Sequence, residues 1–234
     1  AWTHTEFEGR QPDFWNMGKE KGGGLTGEVR FEKLLATWSG SIHSGFRATH
    51  RFLDHTAPNP KPALNEEWTV TAYALTTRGM PSHVFDLVST QTCAGSEPLK
   101  LPKYFYGGLG FRGHRQWEEQ DNFFVLTSDG ETDRVKANEN RCRWIDLSGR
   151  TDGQLCGLAI LDHPDNFRAP QPVRVNPKNP QTCNAPSELG DWEISPGKPY
   201  VSRYRFVVHD GPPDKAELDR LWNDYAHPPT VKVE

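Results

Sequence analysis

The densest group of side chains able to exchange protons lies between Arg141 and Val175. Within it, Gly157-Leu158-Ala159-Ile160-Leu161 reads as a short buried strand that runs into Asp162-His163-Pro164-Asp165-Asn166. An imidazole at the end of a core strand, with carboxylates on both sides and a proline holding the turn, suits general acid–base chemistry. A neighbouring carboxylate orients the ring and raises its pKa. The same residues can equally cap their own turn, since Asp and Asn side chains bond nearby backbone groups. A second group is Tyr104-Phe105-Tyr106-Gly107-Gly108-Leu109-Gly110-Phe111-Arg112-Gly113-His114. An uninterrupted strand here puts Tyr104, Tyr106, Arg112 and His114 on one side and Phe105, Leu109 and Phe111 on the core side. Glycines inside the run mark a bulge or a close backbone approach, which can shift that parity by one. A third group is the run from Pro199 to Asp210, where Arg203, Arg205 and His209 oppose Tyr200, Tyr204, Phe206 and Val208. A solvated outer face is the simplest reading of that pattern. Arginine's rigid fork also suits planar or anionic recognition.

Other chemistries lack their spacing. Nine histidines occur, yet none forms an H-E-x-x-H or H-x-H pair. Cys93, Cys142, Cys156 and Cys183 include no C-x-x-C, so neither a zinc ribbon nor a thioredoxin-like site is expected, and whether they form disulfides is left open. No G-x-S-x-G elbow is present. No cofactor is expected; a calcium ion held by turn carboxylates stays open. The formal net charge is −4, from 27 Lys and Arg against 31 Asp and Glu, which disfavours nucleic acid as a partner. No apolar run approaches the length of a membrane span.

The elements that must position these groups read mostly as strands. Segments from Glu28, Gly45, Glu66, Ser82, Tyr104, Asn122, Arg141, Leu155 and Pro199 alternate in β-branched and aromatic residues, with turn clusters between them. The 21 Gly and 19 Pro fit many turns, and the 8 Trp and 12 Phe supply bulk for a core. About nine strands at this spacing predict an all-β antiparallel β-sandwich. One helix is expected near residues 214–226, capped by Asp214, with Ala216, Leu218, Leu221, Trp222 and Tyr225 on its buried stripe. No repeat or boundary divides the chain, so one domain is expected. The N-terminus has neither the basic start nor the apolar run of a signal peptide.

Several segments, in order, resemble a bacterial family of unknown function, DUF6807, often labelled "methane oxygenase PmoA". They are Asp13-Phe14-Trp15 with Gly27-Glu28-Val29, then Tyr106 to Arg112, then Arg143-Trp144-Ile145-Asp146 with Ser148-Gly149. Gly157 to Pro164 with Asn166 and Arg168 follows, and last Pro196-Gly197 before Tyr204-Arg205-Phe206 and His209-Asp210-Gly211. The oxygenase label does not transfer, because the methane monooxygenase subunit is a membrane protein. The resemblance implies a sandwich similar to galactose mutarotase-like carbohydrate-active proteins, a link to sugar catabolism and export to the periplasm or beyond. Family members usually carry further strands and a His-His-Arg-Gly type segment before the Phe-Trp motif, where this chain has about a dozen residues; that departure bears on catalysis more than on fold.

The expected function is therefore a carbohydrate-processing enzyme holding a sugar or modified glycoside on a concave sheet face, its reaction unassigned among epimerisation, elimination and hydrolysis. His163 and His114 are the proton-transfer candidates, Asp162 or Asp146 an orienting or second acid–base group, and Arg112 a stabiliser of developing negative charge. Tyr104, Tyr106, Trp144, Asn166, Arg168, Arg205 and His209 are the candidate substrate contacts. A non-catalytic carbohydrate-binding module and a structural or partner-binding sandwich are the competing readings.

Overall fold

The computed structural model describes residues 1–16, 24–75, 80, 82–119 and 121–230. Four long strands open the chain: β1 (Gly27–Trp38), β2 (His43–Asp54), β3 (Lys61–Tyr73) and β4 (Ser82–Cys93). Each is rich in β-branched and aromatic residues, and consecutive strands pair antiparallel as hairpin neighbours. Shorter elements follow: β5 (Leu99–Leu101), β6 (Leu109–Arg112), β7 (Phe124–Thr127), a single helical turn α1 (Arg134–Ala137), β8 (Trp144–Thr151) and β9 (Gln154–Asp162). The chain closes with β10 (Val173–Val175), β11 (Gln181–Asn184), β12 (Trp192–Ile194), β13 (Tyr200–Asp210) and helix α2 (Lys215–Ala226).

These strands form an eight-stranded sheet in the order β1-β2-β3-β4-β13-β9-β8-β7, a three-stranded sheet β10-β11-β6 and a two-stranded sheet β12-β5. Every pairing is antiparallel, and the all-β expectation holds. The last strand, β13, lies between β4 and β9, and so joins the early hairpins to the later ones.

The large sheet has an inner and an outer face. Inward, Ile145, Leu147, Ile160, Tyr204 and Phe206 pack with Val173 and Val175 of the small sheet, and Leu109 and Phe111 lean on the same cluster. A second cluster joins Trp2, Phe7 and Phe14 of the N-terminal segment to Phe52, Leu64, Leu99, Leu101 and Ile194. Outward, α2 lays Leu218 and Leu221 on Val84, Trp144, Ala159, Leu161 and Val207. Asp214 caps the helix by accepting from the backbone N–H groups of Ala216 and Glu217. Ala216, expected on the buried stripe, is exposed, and Glu217 is buried in its place.

The reading of Arg203, Arg205 and His209 as a solvated face is corrected: Arg203 is half-buried, Arg205 lies over Tyr225 of α2, and His209 is buried. The Arg205 side chain is 12% exposed and forks onto Asp86 at 2.7 and 2.9 Å. His209 is buried with Asp146; their side chains are fully covered, with Nε2 2.7 Å from Oδ2. The Nδ1 of His209 lies 3.1 Å from the carbonyl of Gly211. A carbonyl only accepts, so Nδ1 carries a proton, and one further proton joins ring and carboxylate. Gly157 makes room for this ring: a Cβ there would sit 2.6 Å from Nε2.

The Tyr104–His114 strand is also corrected. Only Leu109–Arg112 is strand, because Gly107 and Gly108 adopt φ values of 123° and 95° that turn the chain before it. Phe105, expected in the core, is consequently exposed. The short strands β5, β10, β11 and β12 carry too few residues to show a period.

Breaking a buried pair leaves one polar group stranded. Asp146→Ala is expected to cost about 3–5 kcal/mol, measured by urea unfolding; a cost below about 1 kcal/mol would contradict this role for the pair.

Candidate functional site

The Asp162–Asn166 turn is built tightly. Asp162 accepts from Asn166 Nδ2 at 2.6 Å and from the backbone N–H of Gln171 at 2.8 Å. Asn166 also donates to the carbonyl of Arg203 and accepts from its N–H, pinning the turn to β13. His163 Nδ1 accepts from the N–H of Asp165 at 3.1 Å, and its ring meets Tyr225 of α2 edge-on at 4.9 Å. Burial lowers the pKa of this imidazole, against a smaller opposing pull from Asp165. Burial likewise raises Asp162 to about 6, outweighing the donors from Gln171, Asn166 and His163.

The remaining sequence candidates are held by local partners. Trp144 is buried and donates to Asp219 at 2.9 Å. Arg168 spans the carbonyls of Pro186 and Gly190, both at 2.7 Å, so its guanidinium ties two loops together. Arg112 is 56% exposed, between Gln181 at 3.3 Å and Glu118 at 3.6 Å. His114 caps the short turn Arg115–Glu118 by accepting from Gln116. Tyr104 and Tyr106 form an aromatic group with His4 and Trp15; the His4 ring stacks on Tyr104 at 3.7 Å. Among the described residues, no hydrogen bond, ion pair or ring contact joins Arg112 or His114 to His163.

A different pair meets on the inner face of β2 and β3. His50 and Glu66 are direct cross-strand partners. Glu66 Oε1 accepts from Ser89 Oγ at 2.6 Å and Gln91 Nε2 at 2.8 Å, both on β4. Gln91 in turn accepts from the indole N–H of Trp2 at 2.7 Å. This chain of donors fixes the carboxylate and leaves Oε2 facing His50 Nδ1 at 3.6 Å. That separation is too long for a hydrogen bond and leaves both atoms available to a third group. His50 Nδ1 and Trp68 Nε1 are both buried without a hydrogen-bond partner among the described residues, on rings only 4.6 Å apart. Six other buried side-chain polar atoms also lack a partner among the described residues, but these two lie on rings in contact with each other beside a fixed carboxylate, an arrangement a ligand could complete. Phe31, 59% exposed, flanks His50 at 6.0 Å and forms the open rim.

Sequence reasoning missed this pair although a signal was present. His50 shares its strand parity with Phe46, Ala48 and Phe52, and Glu66 shares its parity with Leu64, Trp68 and Val70. A titratable residue on the apolar parity of a strand is the informative exception.

An open trough of about 450 Å³ on the same strands is bounded by Glu32, Thr49, Arg51 and Glu67, which have the opposite parity, and also by His50 and Glu66 themselves. It has no Trp, Tyr or Phe in its lining, and Arg51 pairs with Glu32 at 3.5 Å. The inner pair is the stronger candidate. Among the described residues no group of three or more His, Cys, Asp or Glu is arranged to hold a metal ion, and all four cysteines are unpaired. No helix is long and apolar enough to cross a membrane.

Fold and site together define an all-β, antiparallel protein with an imidazole–carboxylate pair set among aromatic rings. The chain belongs to a family of unknown function, DUF6807, whose model matches residues 1–223. No curated protein matches it.

Asp162 generates a prediction with a definite sign. Its folded-state pKa, about 6, exceeds the unfolded value of 3.8, so the folded state binds the proton more tightly. This stabilisation is full below pH 3.8 and is lost as pH rises through 6. The stability of the native chain relative to Asp162→Asn should therefore fall by about 2–3 kcal/mol between acid and neutral pH. Urea unfolding of both proteins from pH 4 to 7 checks it, and a constant difference would refute it.

Proposed function

We propose that the chain is a carbohydrate-processing enzyme that holds a sugar or modified glycoside on the inner sheet face. His50 and Glu66 are its proton-transfer pair. The observation carrying this reading is the cross-strand placement of a fixed carboxylate beside an imidazole whose facing nitrogen has no hydrogen-bond partner among the described residues. A ligand hydroxyl between them can give its proton to Glu66 Oε2 while the imidazole exchanges a proton at the neighbouring position. Trp68 and Phe31 offer ring surfaces to sugar C–H groups, and the Trp68 N–H, without a hydrogen-bond partner among the described residues, can donate to a hydroxyl. Ordinary glycoside hydrolysis uses two facing carboxylates, whereas this pair is imidazole and carboxylate. That favours epimerisation or elimination beside a sugar carbon over hydrolysis. The resemblance to mutarotase-like proteins supports the same substrate class, and an exported setting fits it.

The test is turnover and thermal shift with a panel of oxidised and unmodified glycosides. His50→Ala and Glu66→Gln should each lower turnover about 100-fold or more, while Glu66→Gln, which keeps the acceptor for Ser89 and Gln91, retains the unfolding temperature and ligand affinity. Binding without turnover in the native protein would instead establish a carbohydrate-binding module.

A further inference from the structure

The inner face continues past His50 and Glu66 toward the end of the first three strands, and its character changes there. The register sets residues in three successive rows. The first is Phe31, His50, Glu66 and Gln91; the second is Leu34, Ala48, Trp68 and Ser89; the third is Thr37, Phe46, Val70 and Leu87. On β1 to β3, every acidic or basic side chain of these rows lies in the first. The next two offer a strip of Leu34, Phe46, Trp68 and Val70. Leu34 is 50% exposed and Phe46 half-buried, so the strip is open to solvent at its β1 and β2 end, while Trp68 and Val70 pack partly against the core.

Resting on the reading of His50 and Glu66 as a sugar site, we infer that the substrate is a glycoside with an apolar, ring-containing aglycone, its sugar at the pair and its aglycone on the Leu34–Phe46 strip. Sugars favour faces where rings alternate with hydrogen-bonding groups. A strip of Leu, Phe and Val side chains has nothing to offer hydroxyls and would strand them, whereas it gains from covering a flat apolar group. The junction between strip and pair then falls beside Trp68, whose N–H, without a hydrogen-bond partner among the described residues, can bond an oxygen joining sugar to aglycone.

A second copy of the chain is the other conceivable occupant, because β1 is an edge of the large sheet. Register shifts between Phe31 and Lys33 and between Leu34 and Ala36 kink this edge, and Arg30, Glu32 and Lys33 place charge along it. Bulges and charges are the devices that stop edge strands from pairing. The strip is thus exposed on an edge built against strand addition, which favours a small ligand.

Calorimetric titration with matched 4-nitrophenyl and methyl glycosides of the same sugars tests this on the native chain and on Leu34→Ala, which lies in the strip and outside the sugar row. The Leu34 side chain is exposed, and an unchanged unfolding temperature confirms that the variant folds. The native chain should bind the nitrophenyl form about tenfold or more tighter, and the variant should shrink that preference below about threefold while methyl-glycoside affinity holds. Equal affinities in the native chain, or a preference the variant retains, would overturn the aglycone assignment and leave the sugar site standing. No binding of either glycoside would overturn both. A dimer seen by sedimentation that Leu34→Ala dissociates, with ligand preference unchanged, would assign the strip to a second copy and also overturn the inference.

Discussion

The structure depends on one strand being buried on both faces. β13 is the last strand in sequence but sits near the middle of the large sheet, hydrogen-bonded to β4 on one side and β9 on the other. Its alternation serves two interiors. Tyr204 and Phe206 enter the cluster shared with the small sheet, and Phe206 stacks on Phe85 at 4.7 Å. Arg205, Val207 and His209 enter the layer beneath α2, where polar groups are tolerated because each has a partner. Without β13 the early hairpins and the later ones would not share one sheet.

The charged groups beneath α2 are paired, although Asp146 Oδ1 and the Tyr225 hydroxyl have no hydrogen-bond partner among the described residues. Arg205 is satisfied by Asp86, Asp86 also by the Tyr73 hydroxyl at 2.9 Å, and His209 by Asp146. The indole N–H of Trp222 donates to the carbonyl of Asp162, tying the helix to the turn that follows β9. Burial of paired charges gives little net stability, yet removing one partner is costly, so such layers hold a helix in one register. The inner face of β2 to β4 differs in kind. There Glu66 is fixed on one oxygen while the other faces His50 at 3.6 Å, and two ring nitrogens nearby lack hydrogen-bond partners among the described residues. These two ring nitrogens differ from the other unpartnered buried polar atoms in lying on rings in contact with each other beside a fixed carboxylate.

Much was legible in the sequence. Strand alternation in β1 to β4, β8, β9 and β13, and the Asp214 cap with Leu218 and Leu221 on one stripe, follow from local sterics and the burial of one face. Even the parity of Tyr204, Phe206, Arg205 and His209 could be read, because a strand cannot turn its side chains without a bulge. The family was legible as well, through the order of its short segments.

What covers each face was decided only by the tertiary structure. Nothing local indicates that α2 folds back over Arg205 and His209, which turns an apparently solvated row into a second interior. The glycines of Gly107-Gly108 allowed a strand or a turn, and contacts decided for the turn, since a Cβ at Gly108 would lie 2.3 Å from the carbonyl oxygen of Asn184. His50 and Glu66 each stood out as a titratable residue on an apolar parity, but their pairing depends on the register between β2 and β3. Sequence determines which side of a strand a residue occupies, because that is set by the pleat. Which residue it faces across the sheet is set by turns and packing many residues away.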